Sequence, residues 1–583
     1  MKPRDLFCRV FICSLAFVTS QGTSRSASED PASDIPHLRQ QGTATQLIVD
    51  GKPFVALAGE LEDSTSTSVA NLRRIWPALV QMNLNTVSPV VYWGLFEPEE
   101  GKFDFTLVDG AIQEARRNNQ RIAFVWFASW KNGLSLYAPI WVKKDFKRFP
   151  RARTRTGAAA EFFSSIEGYG DATRDADARA FAALLRHIKE VDGRKHTVIM
   201  LQVENEVGMS LDTRDFSPVA NQAFAGPVPK ELMDYLQQHK ETLIPEFRQV
   251  WATNGFKTYG TWEEVFGQNA ATDEIFMAWN CARYVGRVAA AGKAEYPLPM
   301  YVNAALFRSS SIAATATKPR ETAGAPGIFA RGGPMDDLLD VWRAGAPAID
   351  MLSPDVYGAN SFAAVCARYS RSENPLFIAE SSGGPGGAPS LLYAIGHDAL
   401  GTSVYGVEFN LMRNDPANEL GRVYKAIAQL MPQIVACQGK GTMTSVLLYE
   451  NGQVEKARLG DYMMSVGFGR DRRPGGSTPA PPPSVRHAGA LFVPIGPDEF
   501  YVIASNDVQM AVTFTPLTPG PALVEVGRVD EGSFVNGRWV QGMSYVDHRT
   551  GANDAPLLLP AAFHRIDAHS EHSILRVQLY RYE

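Results

Sequence analysis

Eight short apolar runs recur between residues 46 and 433, and the stretches between them carry helical periodicity. The runs are 53–61 (PFVALAGEL), 86–93, 121–130 (RIAFVWFASW), 197–206 (TVIMLQVENE), 299–306, 349–357 (IDMLSPDVY), 376–382 (LFIAESS) and 402–410. Their continuous apolar character suits parallel strands covered by helices on both sides. Leu72, Ile75, Trp76 and Leu79 share one helical face. So do Phe181, Leu184, Leu185 and Ile188, and so do Leu338, Leu339 and Trp342. Eight strand–helix units predict an α/β chain closed as a (β/α)8 TIM barrel. The alternative, an open doubly wound sheet, calls for a glycine-rich phosphate turn after the first strand. That strand instead runs into GELEDSTS. Long insertions at 131–170 and 207–273 follow the third and fourth strands, where barrel loops shape a catalytic mouth.

Beyond 433 the pattern changes. Residues 471–486 (DRRPGGSTPAPPPSVR) suit neither helix nor central strand. Alternating segments at 489–495, 499–505, 521–529 and 574–581 predict a C-terminal antiparallel β-sandwich over 434–583. At the other end, residues 1–20 combine basic residues, an apolar stretch and small residues at a cleavage point, as a secretory signal peptide does. Residues 21–45 read as a disordered leader. The chain is thus expected to be exported, periplasmic or extracellular, with no membrane association after signal removal. The net charge of −5 argues against a nucleic-acid partner. Scattered histidines and the absence of CxxC or HExxH argue against a metal site, and no cofactor is expected.

The stretch LQVENEVG, residues 201–208, ends an apolar strand in acids. Strand alternation places Gln202, Glu204 and Glu206 on one face and Leu201 and Val203 on the other. The aliphatic face belongs against helices, so both glutamates are expected inside the barrel. Glu206 lies about 6.6 Å nearer the mouth, with Glu204 below it as a supporting acid. Glu380 ends the seventh strand at the same rim, facing Glu206 across the barrel. A carboxylate pair of this kind points to glycoside hydrolysis. Mutual repulsion should keep Glu206 protonated near neutral pH beside an ionised Glu380.

Asn205-Glu206 at strand four with a glutamate at strand seven resembles the retaining glycosidase clan. Within it, GKPFVALAGEL (51–61), LNTVSPVVYWGLFEPEEGKFDF (84–105) and QVENEVG (202–208) resemble glycoside hydrolase family 35, the β-galactosidases, over about 50–430. The resemblance implies Glu206 as acid/base, Glu380 as nucleophile, Asn205 on the sugar 2-hydroxyl and Tyr357 holding the nucleophile. Since alternation turns Asn205 outward, its role requires the strand to bend or end there. Two departures stand out. Val90-Val91-Tyr92-Trp93 replaces the family's Tyr-x-Pro-Trp, which displaces the tyrosine to Tyr92. Ala128-Ser129-Trp130 replaces Ala-Glu-Trp, so Ser129 stands where a carboxylate would accept sugar hydroxyls. The implied activity is exo-β-galactosidase on oligo- or polysaccharides, in a bacterial branch that includes enzymes acting on xyloglucan side chains.

Several side chains admit two readings. Trp93 and Trp130 near the rim, and less so Trp126, are candidates for stacking on sugar or for core packing. Asn303, ending strand five, is a candidate lining residue. Glu60 and Glu97 either bind sugar or brace loops, with bracing favoured. The Gly-rich SSGGPGGAPS after strand seven reads as a loop. Competing functions are a β-glycosidase of another sugar preference (arabinosidase, fucosidase or glucosidase) and a non-catalytic carbohydrate-binding protein.

Overall fold

The computed structural model describes residues 35–210, 212–306, 330–358, 361–384, 386–412, 419–449, 454–468, 487–505, 510–518, 523–545, 557–559 and 574–582. The signal segment and the proline-rich 471–486 lie outside them.

All eight expected strands are present. In order they are Ala56–Glu60, Thr86–Ser88 with Val90–Tyr92, Arg121–Phe127, Val198–Val203, Met300–Ala305, Met351–Val356, Phe377–Ile378 with Glu380–Ser381, and Gly401–Tyr405. Every neighbouring pair is parallel, and strand eight pairs with strand one, which closes the barrel. Strand seven is split. Its first piece pairs with strand eight and its second, carrying Glu380, with strand six. Leu57, Val87, Phe124, Leu201, Val203 and Val404 face the surrounding helices. One such helix, Val69–Gln81, buries Leu72, Ile75, Trp76 and Leu79, the face read from spacing.

Strands three and four are shorter than expected, ending at Phe127 and Val203, and strand eight gives way to a helix at Val407–Met412. The insertion 207–273 contains the helices Lys230–Gln238 and Pro245–Thr253, the second opened by Pro245.

The barrel floor overturns part of the leader expectation. His37–Gln41, Ala44–Val49 and Lys52–Phe54 form an antiparallel sheet. Its Leu47 and Val49 pack with Ala56, Ala123, Met200, Tyr301, Met351, Phe377 and Leu400 from the lower ends of the strands. A QQG-turn hairpin between polar strands gave little hydrophobic signal, yet its inward residues plug the barrel from below. The plug separates a dry base from a polar upper layer.

The C-terminal part is two antiparallel sheets, of six and four strands. Val446, Phe492, Phe500 and Val577 of one share a core with Met464, Val466 and Val512 of the other. Leu447, Leu491, Val493 and Ile503 turn the opposite way and join the barrel's own core. Gly489 lies against Pro389, on the helix Gly387–Gly396. A Cβ at 489 would stand 2.8 Å from the Pro389 backbone, so only glycine permits this approach. None of the described helices is long and apolar enough to cross a membrane.

Candidate active site

Strand four delivers its residues to the mouth through a break in its own geometry. Glu204 and Glu206 both adopt left-handed backbone conformations, with φ of 63° and 46°. Each costs about 1–2 kcal/mol for a residue with a side chain. The reversal undoes alternation after Val203. Glu204, expected inside the barrel, instead accepts the Trp130 amide at 2.8 Å and shares a hydrogen bond with Asp177 on the helix Asp171–Asp192. It therefore lies in the layer between barrel and helix. Asn205 takes the inward place, and its Nδ2 donates to Glu380 Oε1 at 3.1 Å.

Glu206 follows at the rim, with its amide bonded to Asn303 Oδ1 at 2.8 Å. Asn303 Nδ2 donates to Asp355 Oδ2 at 2.9 Å and to Glu380 Oε1 at 3.1 Å. Tyr357 donates its hydroxyl to Glu380 Oε2. Three donors from strands four, five and six thus fix one carboxyl group on strand seven. Oxygens of Glu206, Asp355 and Glu380 lie within 4.8 Å of one another. Burial, and then the negative charge of Glu380, push the Glu206 carboxyl up to about 7, against the pull of Lys131. Asp355, wholly enclosed, is pushed well above the carboxylate range by burial and by Glu380, Glu206 and Glu60. A cation could be ligated by these three carboxylates on distance alone. It would have to displace amide and phenol donors that already occupy Glu380.

The opposite wall carries a cation. Lys131 Nζ lies 3.4 Å from Asp63 Oδ1 and over the rings of Phe127 and Tyr405. Burial disfavours its charge, but Glu380, Asp63, Glu60 and Glu206 outweigh that and raise its pKa. Tyr137 donates to Asp63 at 2.9 Å and Tyr405 at 3.3 Å. Tyr92 packs between Tyr137 and Phe127 on this side, at ring distances of 4.7 and 5.9 Å.

Other expected sugar contacts lie elsewhere. Trp93 is fully buried, donates to Glu97 at 2.7 Å and packs edge-on against Trp141, so no face is open to a sugar. Glu97 also accepts the Gly101 amide and braces that turn. Ser129 bonds Asp177 at 2.8 Å and Tyr284 at 2.7 Å, behind the strands rather than in the mouth. Trp126 donates to the same Asp177. Trp130 is buried edge-on against Tyr284, which leaves it no exposed stacking face, and among the described residues no group bonds its Nε1. Ser129 and Trp130 fall past the end of strand three, where alternation no longer sets direction.

Asp355, Asp63 and Lys131 were not anticipated. Alternation on strand six would have found Asp355, since Ser353, Asp355 and Tyr357 share a face. Lys131 and Asp63 sit on loops, where no periodicity points to them.

Residues 68–277 match a family model described as beta-galactosidase, that of glycoside hydrolase family 42. That stretch of the barrel is thus similar to β-galactosidases. Residues 420–545 match a domain of unknown function (DUF5597). A β-galactosidase of Xanthomonas manihotis is 29% identical over 188 residues, 30% of this chain and 27% of that protein. Beta-galactosidase 11 of Arabidopsis thaliana is 35% identical over 66 residues, 11% of this chain and 7% of its own length. The chain thus spans under a third of these relatives. Among solved structures, the β-galactosidase of Rahnella sp. R3 aligns with a TM-score of 0.42 at 16% identity, over 65% of this chain and 57% of that one.

The Asp177 cluster behind the site yields a stability prediction. Burial raises both carboxyls, and at Glu204 the neighbouring Asp177 adds to the rise. Asp177→Ala would strand Glu204, the Trp126 indole, Ser129 and Tyr284 without their shared partner. Unfolding free energy should fall by about 3 kcal/mol. Denaturant titration against the wild type measures this, and a loss within 0.5 kcal/mol, about that of an ordinary surface change, would refute it.

Proposed function

We propose that this chain is an exported retaining exo-β-galactosidase of family 35 type, which removes terminal non-reducing β-galactosyl residues by double displacement. The observation that carries the reading is the approach of Glu206 and Glu380, oxygens within 4.8 Å, from the ends of strands four and seven. Retaining enzymes hold their carboxyl groups about 5–5.5 Å apart, whereas inverting ones need about 6.5–9.5 Å.

In the first step Glu380 attacks the anomeric carbon while Glu206 gives its proton to the departing oxygen. In the second, Glu206 takes a proton from water, which attacks the glycosyl–Glu380 ester and frees the sugar. Tyr357, Asn205 and Asn303 hold the nucleophile in place. Asn205 Oδ1 is buried and bonded to no group among the described residues, which suits it to accept from the 2-hydroxyl while Nδ2 stays on Glu380. Xyloglucan side chains are the proposed natural source of galactose, and the signal-like residues 1–20 support export, which cell fractionation tests.

A panel of 4-nitrophenyl glycosides is the direct assay. The β-galactoside should exceed the β-glucoside, α-arabinoside and β-fucoside in kcat/KM by about a hundredfold or more, because a site built on hydroxyl hydrogen bonds rejects sugars with a misplaced or missing hydroxyl. NMR of the first product should show the β-anomer. A larger kcat/KM on another sugar would reassign the specificity. Sugar binding without turnover of any glycoside would make the chain a carbohydrate-binding protein.

A further inference from the structure

Glu60 is the last residue of barrel strand one. Alternation along that strand is unbroken. Leu57 packs outward among the helices, and a Cβ on Gly59 would meet Leu84 and Val407 on the same outer side. Ala56 packs inward on the floor, so Glu60, two pairs further up, faces the interior. Its carboxyl is completely buried, yet among the described residues no group bonds either oxygen. Glu97, by contrast, has both oxygens occupied by Trp93 and Gly101. A bracing role for Glu60 therefore has nothing to brace.

Its neighbours repeat the pattern. Ser88 is the register partner of Glu60 on strand two, and Ser403 pairs with Ala58 on strand eight. Partners in register on parallel strands face the same side, so both serines point inward. Both are buried, and neither hydroxyl has a partner among the described residues. Three adjacent strands of the barrel wall, eight, one and two, thus present a carboxyl and two hydroxyls that no group among the described residues satisfies. Buried polar groups are ordinarily hydrogen-bonded, and unsatisfied ones mark places where a ligand or ordered water completes the set. Tyr405, the register partner of Glu60 on strand eight, has its ring under Lys131, and the charges of Glu380, Lys131, Asp63 and Glu206 all act on Glu60, so it stands in the same upper layer as the catalytic pair.

We propose that Glu60 is the sugar-discriminating residue of the site, accepting hydroxyls at C3 and C4 of the terminal pyranose. The proposal rests on the glycosidase reading. Glu380 and Asn205 fix the C1–C2 edge of the ring over strands four and seven. The ring then extends away from them, and its far edge, with the vicinal 3- and 4-hydroxyls, meets strands eight, one and two. A carboxyl with two free oxygens can take both hydroxyls at once. Configuration at C4 then decides whether the second bond forms, so this contact separates galactosides from glucosides where Ser129 does not reach.

The test crosses enzyme variants with substrate deletions. Wild type, Glu60→Gln and Glu60→Ala are assayed on 4-nitrophenyl β-galactoside and on its 3-deoxy, 4-deoxy and 6-deoxy analogues, or on the same series of whichever sugar the wild type prefers. Wild type should lose about a hundredfold or more in kcat/KM on the 3- and 4-deoxy substrates. Glu60→Ala should lose about as much on the parent, and its own penalty for those two deletions should shrink to a few-fold, because the contact is already gone. The 6-deoxy penalty should be the same in all three enzymes. Labelling by a 2-deoxy-2-fluoro-β-galactoside, which traps the glycosyl-enzyme, should persist in both variants and shows an intact nucleophile. Equal deoxy penalties in wild type and variants would overturn the role of Glu60 and leave the glycosidase reading standing. Wild type that neither turns over any glycoside nor is labelled would overturn both.

Discussion

Glu380→Gly should lower kcat on the preferred nitrophenyl glycoside by about 10^5-fold or more, the scale seen when a covalent nucleophile is removed. The loss has a specific geometric origin. Asn205, Asn303 and Tyr357 all aim their donors at this one carboxyl, and none of them can attack carbon in its place. Glycine leaves a small cavity lined by those three donors, which is a ready anion site. Added formate or azide should therefore restore part of the lost rate, attacking from the face Glu380 has vacated. With azide the product should be the α-glycosyl azide, because a single displacement inverts the anomeric centre. Activity in Glu380→Gly equal to that of a remote surface variant would remove Glu380 from the mechanism.

The second large effect belongs to Glu206, and it should depend on the leaving group. Glu206→Gln removes the proton donor of the first step and the base of the second. For a sugar leaving group, which departs poorly as an anion, kcat/KM should fall by about 10^3–10^4-fold. For dinitrophenolate, which needs no proton, the first step should be nearly normal, and the slow second step should appear as a burst of released phenolate. The pH profile gives a second handle. Glu206 must be protonated to act as acid, and its carboxyl is pushed up to about 7. Wild-type kcat/KM should hold below that value and decline as pH rises through it. Lys131 opposes the upward shift, so Lys131→Met should carry this basic limb to higher pH. In Glu206→Gln the limb should vanish. An unchanged limb in that variant would assign it to another group.

Strand positions and the two facing acids were legible because both rest on periodicity. Apolar runs alternate with amphipathic helices over the whole barrel, and Glu206 and Glu380 terminate two of those runs. The details that failed are those where the backbone departs from its period. No feature of VENEV announces two left-handed residues, so Glu204 was placed inside and Asn205 outside, the reverse of what the structure shows. Resemblance alone had asked for Asn205 inside, and the conformational break at Glu204 is the physical means by which it gets there. Trp93 illustrates a different limit. Being near a strand end did not reveal that Glu97, one helical turn later, would hold its indole in the core. Residues 37–49 were missed because a polar hairpin carries its apolar residues singly, and their packing is visible only once the barrel base exists to receive them.

The contact at Gly489 bears on how such a chain could be rebuilt. The helix that Gly489 touches begins seven residues after Glu380, and the sheet that carries Gly489 packs its aliphatic face into the core around the barrel. The C-terminal sheets are therefore a wall shared by two rooms. Cutting the chain after the barrel would expose that wall and loosen the segment leading out of the nucleophile's strand. Grafting a foreign binding module onto the barrel would fail for the same reason, unless the graft brought its own glycine opposite Pro389.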